Sequence, residues 1–128
     1  MKYKALALDL DGTLTNREKK VPAGNKEAIE KAIDAGVKVI LASGRPLFGI
    51  TPIARELELD KKGGYILAYN GGCIVDCKTG KQMSATIMPQ DCIADICSLA
   101  RANGVYALTY ADTQICLLYT SPSPRDCS

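Results

Sequence analysis

The 128-residue sequence contains no histidine, and this absence excludes whole classes of enzyme. Ser-His-Asp triads and Cys-His pairs cannot form, so any catalysis depends on carboxylates, hydroxyls, amines or a bound metal. Long apolar runs are also absent: strand-sized runs such as Ala5–Leu8 and Val39–Ala42 fall far short of the roughly 18 residues that span a membrane. The excess of basic residues is small, 16 Lys and Arg against 14 Asp and Glu. We therefore expect neither a membrane nor a nucleic acid as partner.

No segment has the pattern of a secretory signal peptide. A short apolar stretch follows Met1-Lys2-Tyr3-Lys4 and ends already at Asp9, without a small-residue cleavage site. We therefore expect a cytoplasmic protein whose cysteines are reduced thiols. Their irregular spacing contains no C-x-x-C pair, which argues against a zinc site. The six cysteines are Cys73, Cys77, Cys92, Cys97, Cys116 and Cys127.

Apolar runs alternate with helical patterns over the first 72 residues. This alternation predicts βαβ units and a parallel sheet, and hence an α/β fold with a Rossmann-like core. One helix is predicted after Pro22, with Gly36 at its C-terminus, and a second begins at Pro46, with Pro52 expected to kink or interrupt it. The predicted buried strands are Tyr3–Leu8, Val37–Ala42 and Tyr65–Tyr69.

The pattern changes after Gly72. An antiparallel hairpin is predicted from Cys73–Asp76 and Gln82–Ile87, with a turn at Lys78-Thr79-Gly80. A helix then begins at Pro89-Gln90-Asp91 and ends at Asn103-Gly104, before a strand at Val105–Tyr110. One face of that helix carries Ile93, Ile96, Leu99 and Ala100. We therefore expect a second, smaller element to begin near residue 81.

Two carboxylates, Asp9 and Asp11, follow the first predicted strand in the string Asp-Leu-Asp-Gly-Thr. In open α/β sheets, ligands bind beyond the carboxyl ends of the strands, so this is where a site is expected. An ordinary polar turn would also place Asp-Gly here. The full D-x-D-G-T string favours a site, because it occurs by chance in a chain of this length on the order of one time in a thousand.

The stretch from Ala5 to Thr15 resembles the first motif of the haloacid dehalogenase-like phosphohydrolases. Leu41 to Pro46 resembles the second motif in the form used by the Cof-type branch, and Tyr69 to Gly72 fits that branch's third-strand turn. The resemblance implies that residues 1–80 form the N-terminal part of the hydrolase core. It also implies that residues 81–115 form the start of an inserted α/β cap. It further implies a phosphate-monoester hydrolase acting on a small phosphorylated metabolite of the sugar-phosphate or nucleotide type.

By the family pattern, Asp9 is the nucleophile that forms an aspartyl-phosphate, and Asp11 is the general acid. The pattern also assigns Mg²⁺ to the Asp9 side chain and the Asp11 backbone carbonyl. A hard cation suits this place, because a phosphate dianion and a carboxylate repel each other. Gly12 and Thr13 keep the turn slim enough for backbone donors to approach the phosphoryl oxygens.

Further phosphate or substrate contacts are expected from the ends of the next two strands. Ser43 is expected to bind phosphate beside Gly44, although a serine there also suits the N-cap of the following helix. Arg45 is expected to contact substrate or to support the site, with a solvated surface arginine as the alternative. Asn70 is expected to position substrate, and an ordinary Asn-Gly turn is its alternative.

The C-terminal residues 116–128 do not continue the strand and helix patterns of the preceding sequence. The eleven residues Cys116 to Asp126 match the in-frame translation of a transposase-based sequencing adapter. We therefore expect residues 116–128 to be non-native and the natural chain to have been cut at or before residue 116. The third-motif lysine and the fourth-motif acidic residues of the family then have no counterpart, so this chain is expected to be inactive by itself.

Two other interpretations remain open from the sequence. A receiver-type phosphoacceptor domain also uses paired acids and Mg²⁺ on a parallel sheet, but its acids are adjacent, whereas Leu10 separates Asp9 from Asp11. A fragment that binds phosphate without turnover is the other alternative. A dinucleotide-binding module is disfavoured, because the first turn lacks G-x-G-x-x-G.

Overall fold

A computed structural model describes residues 2–118 of the chain. The chain divides into two compact units, Met1–Thr86 and Ile87–Ser128. The division falls after residue 86, because the strand at Gln82–Ala85 pairs within the first unit's sheet. The interpretation of the two parts as hydrolase core and cap stays a prediction. None of the helices within residues 2–118 is long and apolar enough to cross a membrane.

The first unit is built on a five-stranded sheet in the order β1-β2-β3-β4-β5. The first three strands run parallel, which confirms the α/β fold with a parallel core. The last two add antiparallel, which confirms the predicted hairpin but joins it to the same sheet. The strands are β1 (Ala5–Asp9), β2 (Lys38–Ala42), β3 (Tyr65–Ala68), β4 (Cys73–Asp76) and β5 (Gln82–Ala85).

Helices connect the parallel strands, as the alternating pattern predicted. Helix α1 (Ala23–Asp34) lies between β1 and β2, while α2 (Leu47–Glu56) and the short α3 (Leu59–Lys62) lie between β2 and β3. The expected break at Pro52 does not occur, and α2 continues through it to Glu56. A single proline removes one intrahelical hydrogen bond, and the buried face of α2 continues on both sides of it, which offsets that loss.

The core lies between the central strands and the helices. Val39 and Leu41 of β2 are completely buried, together with Ile50 of α2 and Leu57 after it. Burial of such side chains contributes about 1.5 to 3 kcal/mol each. The prediction of a buried first strand is wrong, because β1 lies at one edge of the described sheet and alternates exposed and half-buried residues.

The second unit contains α4 (Cys92–Ala102) and an antiparallel hairpin of β6 (Ala107–Ala111) and β7 (Gln114–Leu118). The predicted apolar face of α4 is corrected: Cys97 is its buried residue, whereas Leu99 is 66% exposed. An apolar cavity of about 520 Å³ lies in this unit, with residues of α4 and β6 in its lining.

The predicted tail begins inside β7. Cys116 is buried and pairs with Thr109 of β6, so residues 116–118 belong to the hairpin, while residues 119–128 lie outside the described part. Cys116 is disulfide-bonded, which contradicts the prediction of reduced thiols at this position. The other described cysteines, Cys73, Cys77, Cys92 and Cys97, are free thiols.

Candidate functional site

The loops after β1, β2 and β3 meet at the carboxyl edge of the parallel strands. They line a cavity of about 310 Å³. Its polar side chains are those of Asp9, Ser43 and Asn70, and Gly44 of the second loop also lines it. The second and third loops are tied by main-chain bonds: the Asn70 amide donates to the Ser43 carbonyl at 3.1 Å. The structure therefore brings together side chains that the sequence assigned to one site from three separate strand ends.

The loop after β1 is held in place by buried apolar residues and by hydrogen bonds within the loop. Leu10 and Leu14 are buried, and the Leu14 amide donates to the Asp9 carbonyl at 3.1 Å. The buried hydroxyl of Thr15 donates to the Leu10 carbonyl at 2.9 Å. Gly12 has a φ of +77°, a conformation that strains residues with a Cβ. This packing leaves the carboxylates of the first motif exposed at the surface.

Asp9 has a defined hydrogen-bond partner inside this loop. The Thr13 hydroxyl donates to Oδ2 of Asp9 at 3.1 Å. Within residues 2–118, the other oxygen, Oδ1, receives no side-chain hydrogen bond. The sequence assigned Thr13 to the phosphate-binding turn, whose backbone donors approach the phosphoryl oxygens. Its hydroxyl also restricts the rotation of the Asp9 carboxylate and leaves one oxygen available toward the cavity.

Asp11 is held by an arginine from the next loop. Nε of Arg45 donates to Oδ2 of Asp11 at 2.8 Å, and Nη2 donates to Oδ1. The Arg45 hydrogen bond lowers the pKa of the Asp11 carboxyl, while partial desolvation opposes this effect and the charges of Arg45 and Lys19 add to it. The same hydrogen bond raises the pKa of Arg45. The structure therefore favours an ionised Asp11.

Ser43 is nearly buried at the end of β2, with 9% of its surface exposed. Its Oγ accepts a hydrogen bond from the Arg45 amide at 3.1 Å. The N-cap position of α2 is occupied by Pro46, so Ser43 does not cap that helix. The helix-cap alternative is therefore wrong, and the hydroxyl lies at the cavity instead.

The loop after β3 has an unusual backbone. Tyr69 and Asn70 both have positive φ, 53° and 56°, and Gly71 follows at 91°. Consecutive left-handed residues other than glycine cost of order 1 kcal/mol each or more, and such strain is concentrated at functional sites. Asn70 and Gly71 form the centre of a two-residue turn between β3 and β4, closed by the bond from the Gly72 amide to the Tyr69 carbonyl at 3.1 Å. The Asn-Gly turn expected as the alternative is therefore present, and the Asn70 side chain also lines the cavity.

The site offers some of the oxygen ligands that Mg²⁺ requires. Asp9 and the Asp11 main chain offer hard oxygen donors, which this cation prefers. Across residues 2–118 no cluster combines three or more carboxylate, thiol or imidazole ligands. Mg²⁺ commonly uses one or two protein carboxylates and completes its shell with water and substrate oxygens. The residues present therefore fit part of a magnesium site.

Sequence reasoning did not find the pairing of Asp11 with Arg45. The only available indication was that opposite charges occur in two loops expected at the same edge of the sheet. Asp11 and Arg45 are 34 positions apart in the sequence. Neither hydrophobic periodicity nor motif spacing specifies which side chain in another loop an arginine will contact. The other candidate residues lie where the strand ends predicted them.

Comparison with known proteins gives a consistent result. Residues 6–124 match the haloacid dehalogenase-like hydrolase family, and the match continues past residue 115. A 5-amino-6-(5-phospho-D-ribitylamino)uracil phosphatase of Bacillus subtilis is 36% identical over 113 residues, which cover 88% of this chain and 37% of the relative. A pyridoxal phosphate phosphatase of Escherichia coli is 28% identical and is covered over 43% of its length.

A solved structure supports the same assignment. The haloacid dehalogenase-like hydrolase from Bacteroides thetaiotaomicron superposes with a TM-score of 0.81 at 40% identity, covering 91% of this chain and 44% of that one. The chain thus spans about two fifths of the length of the relatives that it matches. The receiver-domain alternative is set aside by the family match. The chain belongs to the haloacid dehalogenase-like hydrolases, in their Cof-type branch.

Proposed function

We propose that this chain supplies the nucleophile half of a Mg²⁺-dependent phosphate-monoester hydrolase that works through an aspartyl-phosphate. The observation that carries the proposal is the place of Asp9: it ends β1, lines the cavity beside Ser43, and keeps one carboxylate oxygen free of the Thr13 hydrogen bond. Relatives named as phosphatases of small phosphorylated compounds support it.

The reaction takes two steps. Asp11 first takes a proton from solvent, because the folded protein favours its ionised form. An Asp9 oxygen then bonds to phosphorus while the ester P–O bond breaks, and Asp11 donates that proton to the leaving oxygen. A water oxygen then bonds to phosphorus and passes its proton to Asp11 as the bond to Asp9 breaks. Inorganic phosphate leaves, and both carboxyl groups return to their first states when Asp11 releases this proton to solvent.

Asp9 and the Asp11 carbonyl would hold Mg²⁺, which when bound offsets the repulsion between the phosphate dianion and the attacking carboxylate. Ser43 and Asn70 line the same cavity as Asp9, where their polar groups would bind and orient phosphoryl oxygens. Gly12 and Gly44 keep the backbone close to the group being transferred. The substrate is a small phosphorylated metabolite of the sugar-phosphate or nucleotide type, met in the cytoplasm.

The 128-residue chain by itself is proposed to bind phosphate with little or no turnover. The family's later lysine and acidic residues have no counterpart in residues 1–115, and each such electrostatic group is worth about 2.7 to 4 kcal/mol in comparable enzymes. The second unit is proposed as the beginning of the cap. The full-length protein is therefore the form in which the activity is expected.

The test is hydrolysis of phosphate monoesters by the full-length protein, with and without Mg²⁺. Replacement of Asp9 by asparagine removes the nucleophile and is expected to lower kcat by about 1,000-fold or more. Glu27→Gln is the matched control, because Glu27 lies on the exposed face of α1, where it pairs with Lys31. Turnover that survives Asp9→Asn, or that ignores a chelator, contradicts the proposal.

A further inference from the structure

We infer that Arg45 is a positioning residue for Asp11 rather than a ligand of the substrate phosphate. This inference rests on the proposed function, because it concerns the group that protonates the leaving oxygen. It decides between the two roles expected for Arg45 from the sequence, contact with the substrate and support of the site.

The guanidinium takes both oxygens of the Asp11 carboxylate. Nε and Nη2 each donate to a different oxygen, so the two planar groups lie edge to edge. Such two-point pairing fixes the rotation of a carboxylate as well as its place, which a lysine ammonium cannot do. Each carboxylate oxygen keeps a further lone pair outside the pairing, which can take a proton from water and pass it to the leaving oxygen.

Arg45 is the more firmly held member of the pair. Its third nitrogen, Nη1, donates to the Gly49 carbonyl at 3.2 Å, and its main chain bonds to Ser43 on one side and Tyr69 on the other. Its side chain is 21% exposed, compared with 54% for Asp11. The anchored arginine therefore sets the place of the aspartate. Three of the five guanidinium N–H groups already have acceptors in the protein, and two of these three bonds go to Asp11, which makes the aspartate the main partner of Arg45.

The position of the Asp11 carboxyl group matters more for some substrates than for others. A proton donor acts only within one hydrogen bond of the leaving oxygen, and displacement by about 1 Å costs on the order of 100-fold. An alkoxide leaving group needs that proton, whereas 4-nitrophenolate leaves without it. Loss of Arg45 should therefore affect an alkyl phosphate much more than 4-nitrophenyl phosphate.

The experiment compares Arg45→Gln, Arg45→Lys and the control Arg55→Gln in the full-length protein. Arg55 is an exposed residue of the same helix region and lies outside the cavity beside Asp9. For Arg45→Gln, kcat/KM should fall at least about 10-fold more with n-butyl phosphate than with 4-nitrophenyl phosphate. Arg45→Lys should recover only part of this difference, and the inhibition constant of inorganic phosphate should stay within about twofold.

Each outcome decides the inference. Equal losses with both esters, together with weaker inhibition by phosphate, would make Arg45 a phosphate ligand and overturn it. Failure of the wild type to hydrolyse either ester would instead defeat the proposed function, and this inference with it. If Arg45→Gln does not fold, the ¹⁵N resonance of Arg45 Nε decides: Asp11→Asn should shift it, and an unchanged resonance contradicts the pairing.

Discussion

Gly44 and Asn70 lie directly against each other across the candidate site. A Cβ added at Gly44 would come within 3.0 Å of Oδ1 of Asn70 and within 3.4 Å of its amide nitrogen. The two residues come from different loops, which are joined by the bond from the Asn70 amide to the Ser43 carbonyl. The glycine thus lets the third loop close over the second with the asparagine side chain in place.

Gly44→Ala is expected to destabilise the protein by at most about 1 kcal/mol, because the added methyl group displaces the end of the exposed Asn70 side chain. Asn70→Gly removes that side chain and suits the left-handed backbone at φ 56°. Urea unfolding of both single variants and the double variant forms a cycle. Gly44→Ala should lower the free energy of unfolding clearly less in the Asn70→Gly background than in the wild type. An equal loss of unfolding free energy in both backgrounds would refute the contact.

Thr13 is expected to act through the oxygen that it does not contact. Thr13→Val keeps the shape of the side chain but removes the hydrogen bond to Oδ2 of Asp9, so the carboxylate rotates more freely. We expect kcat of the full-length protein to fall about 10-fold, the equivalent of about 1.4 kcal/mol. Thr13→Ser keeps the hydroxyl and should stay near the wild type; an equal fall in both variants would contradict this role.

The ion pair of Asp11 and Arg45 predicts a pH-dependent contribution to stability. The folded protein lowers the pKa of Asp11 below its ordinary 3.8, so the contribution is present above that pH and is lost as pH falls through the lowered value. Asp11 is half exposed, which limits the effect to about 1 kcal/mol. The difference in unfolding free energy between wild type and Arg45→Gln should shrink from pH 6 to pH 3. A difference in unfolding free energy that stays constant between pH 6 and pH 3 would contradict the pH-dependent contribution of this ion pair.

Cys77 is expected to be an unreactive thiol. Burial raises its pKa to about 11, and the charges of Asp76 and Asp60 add to this. At pH 8 only about one molecule in a thousand carries the thiolate there, so iodoacetamide should modify exposed Cys92 first. Mass spectrometry of the two peptides should show Cys77 reacting at least about 10-fold more slowly. Comparable rates at pH 8 would contradict the expected burial.

The parallel core and the place of the site were predictable because both depend on local patterns. Apolar runs of strand length alternate with amphipathic segments, and Asp9, Ser43 and Asn70 each follow such a run. Since parallel strands end at one edge of a sheet, their loops must meet. These features need no knowledge of which side chains pack together.

Features that depend on tertiary position were not predictable. The apolar run of β1 looks like a buried strand, yet its burial depends on whether a neighbour covers its edge. Similarly, spacing on α4 marks an apolar face, whereas the hairpin packed against the helix decides that Cys97 is the buried residue. The pairing of Arg45 with Asp11 arises in the same way, from loops that meet only after folding.

The most direct test of the central claim is chemical trapping of the phosphorylated nucleophile. The full-length protein is mixed with a phosphate monoester and Mg²⁺, quenched during turnover, and treated with borohydride, which reduces an acyl phosphate to the alcohol. Mass spectrometry should then find homoserine at position 9 and unmodified aspartate at position 11, and no conversion with Asp9→Asn. Active turnover with no conversion at Asp9, or with conversion at Asp11, would contradict the account.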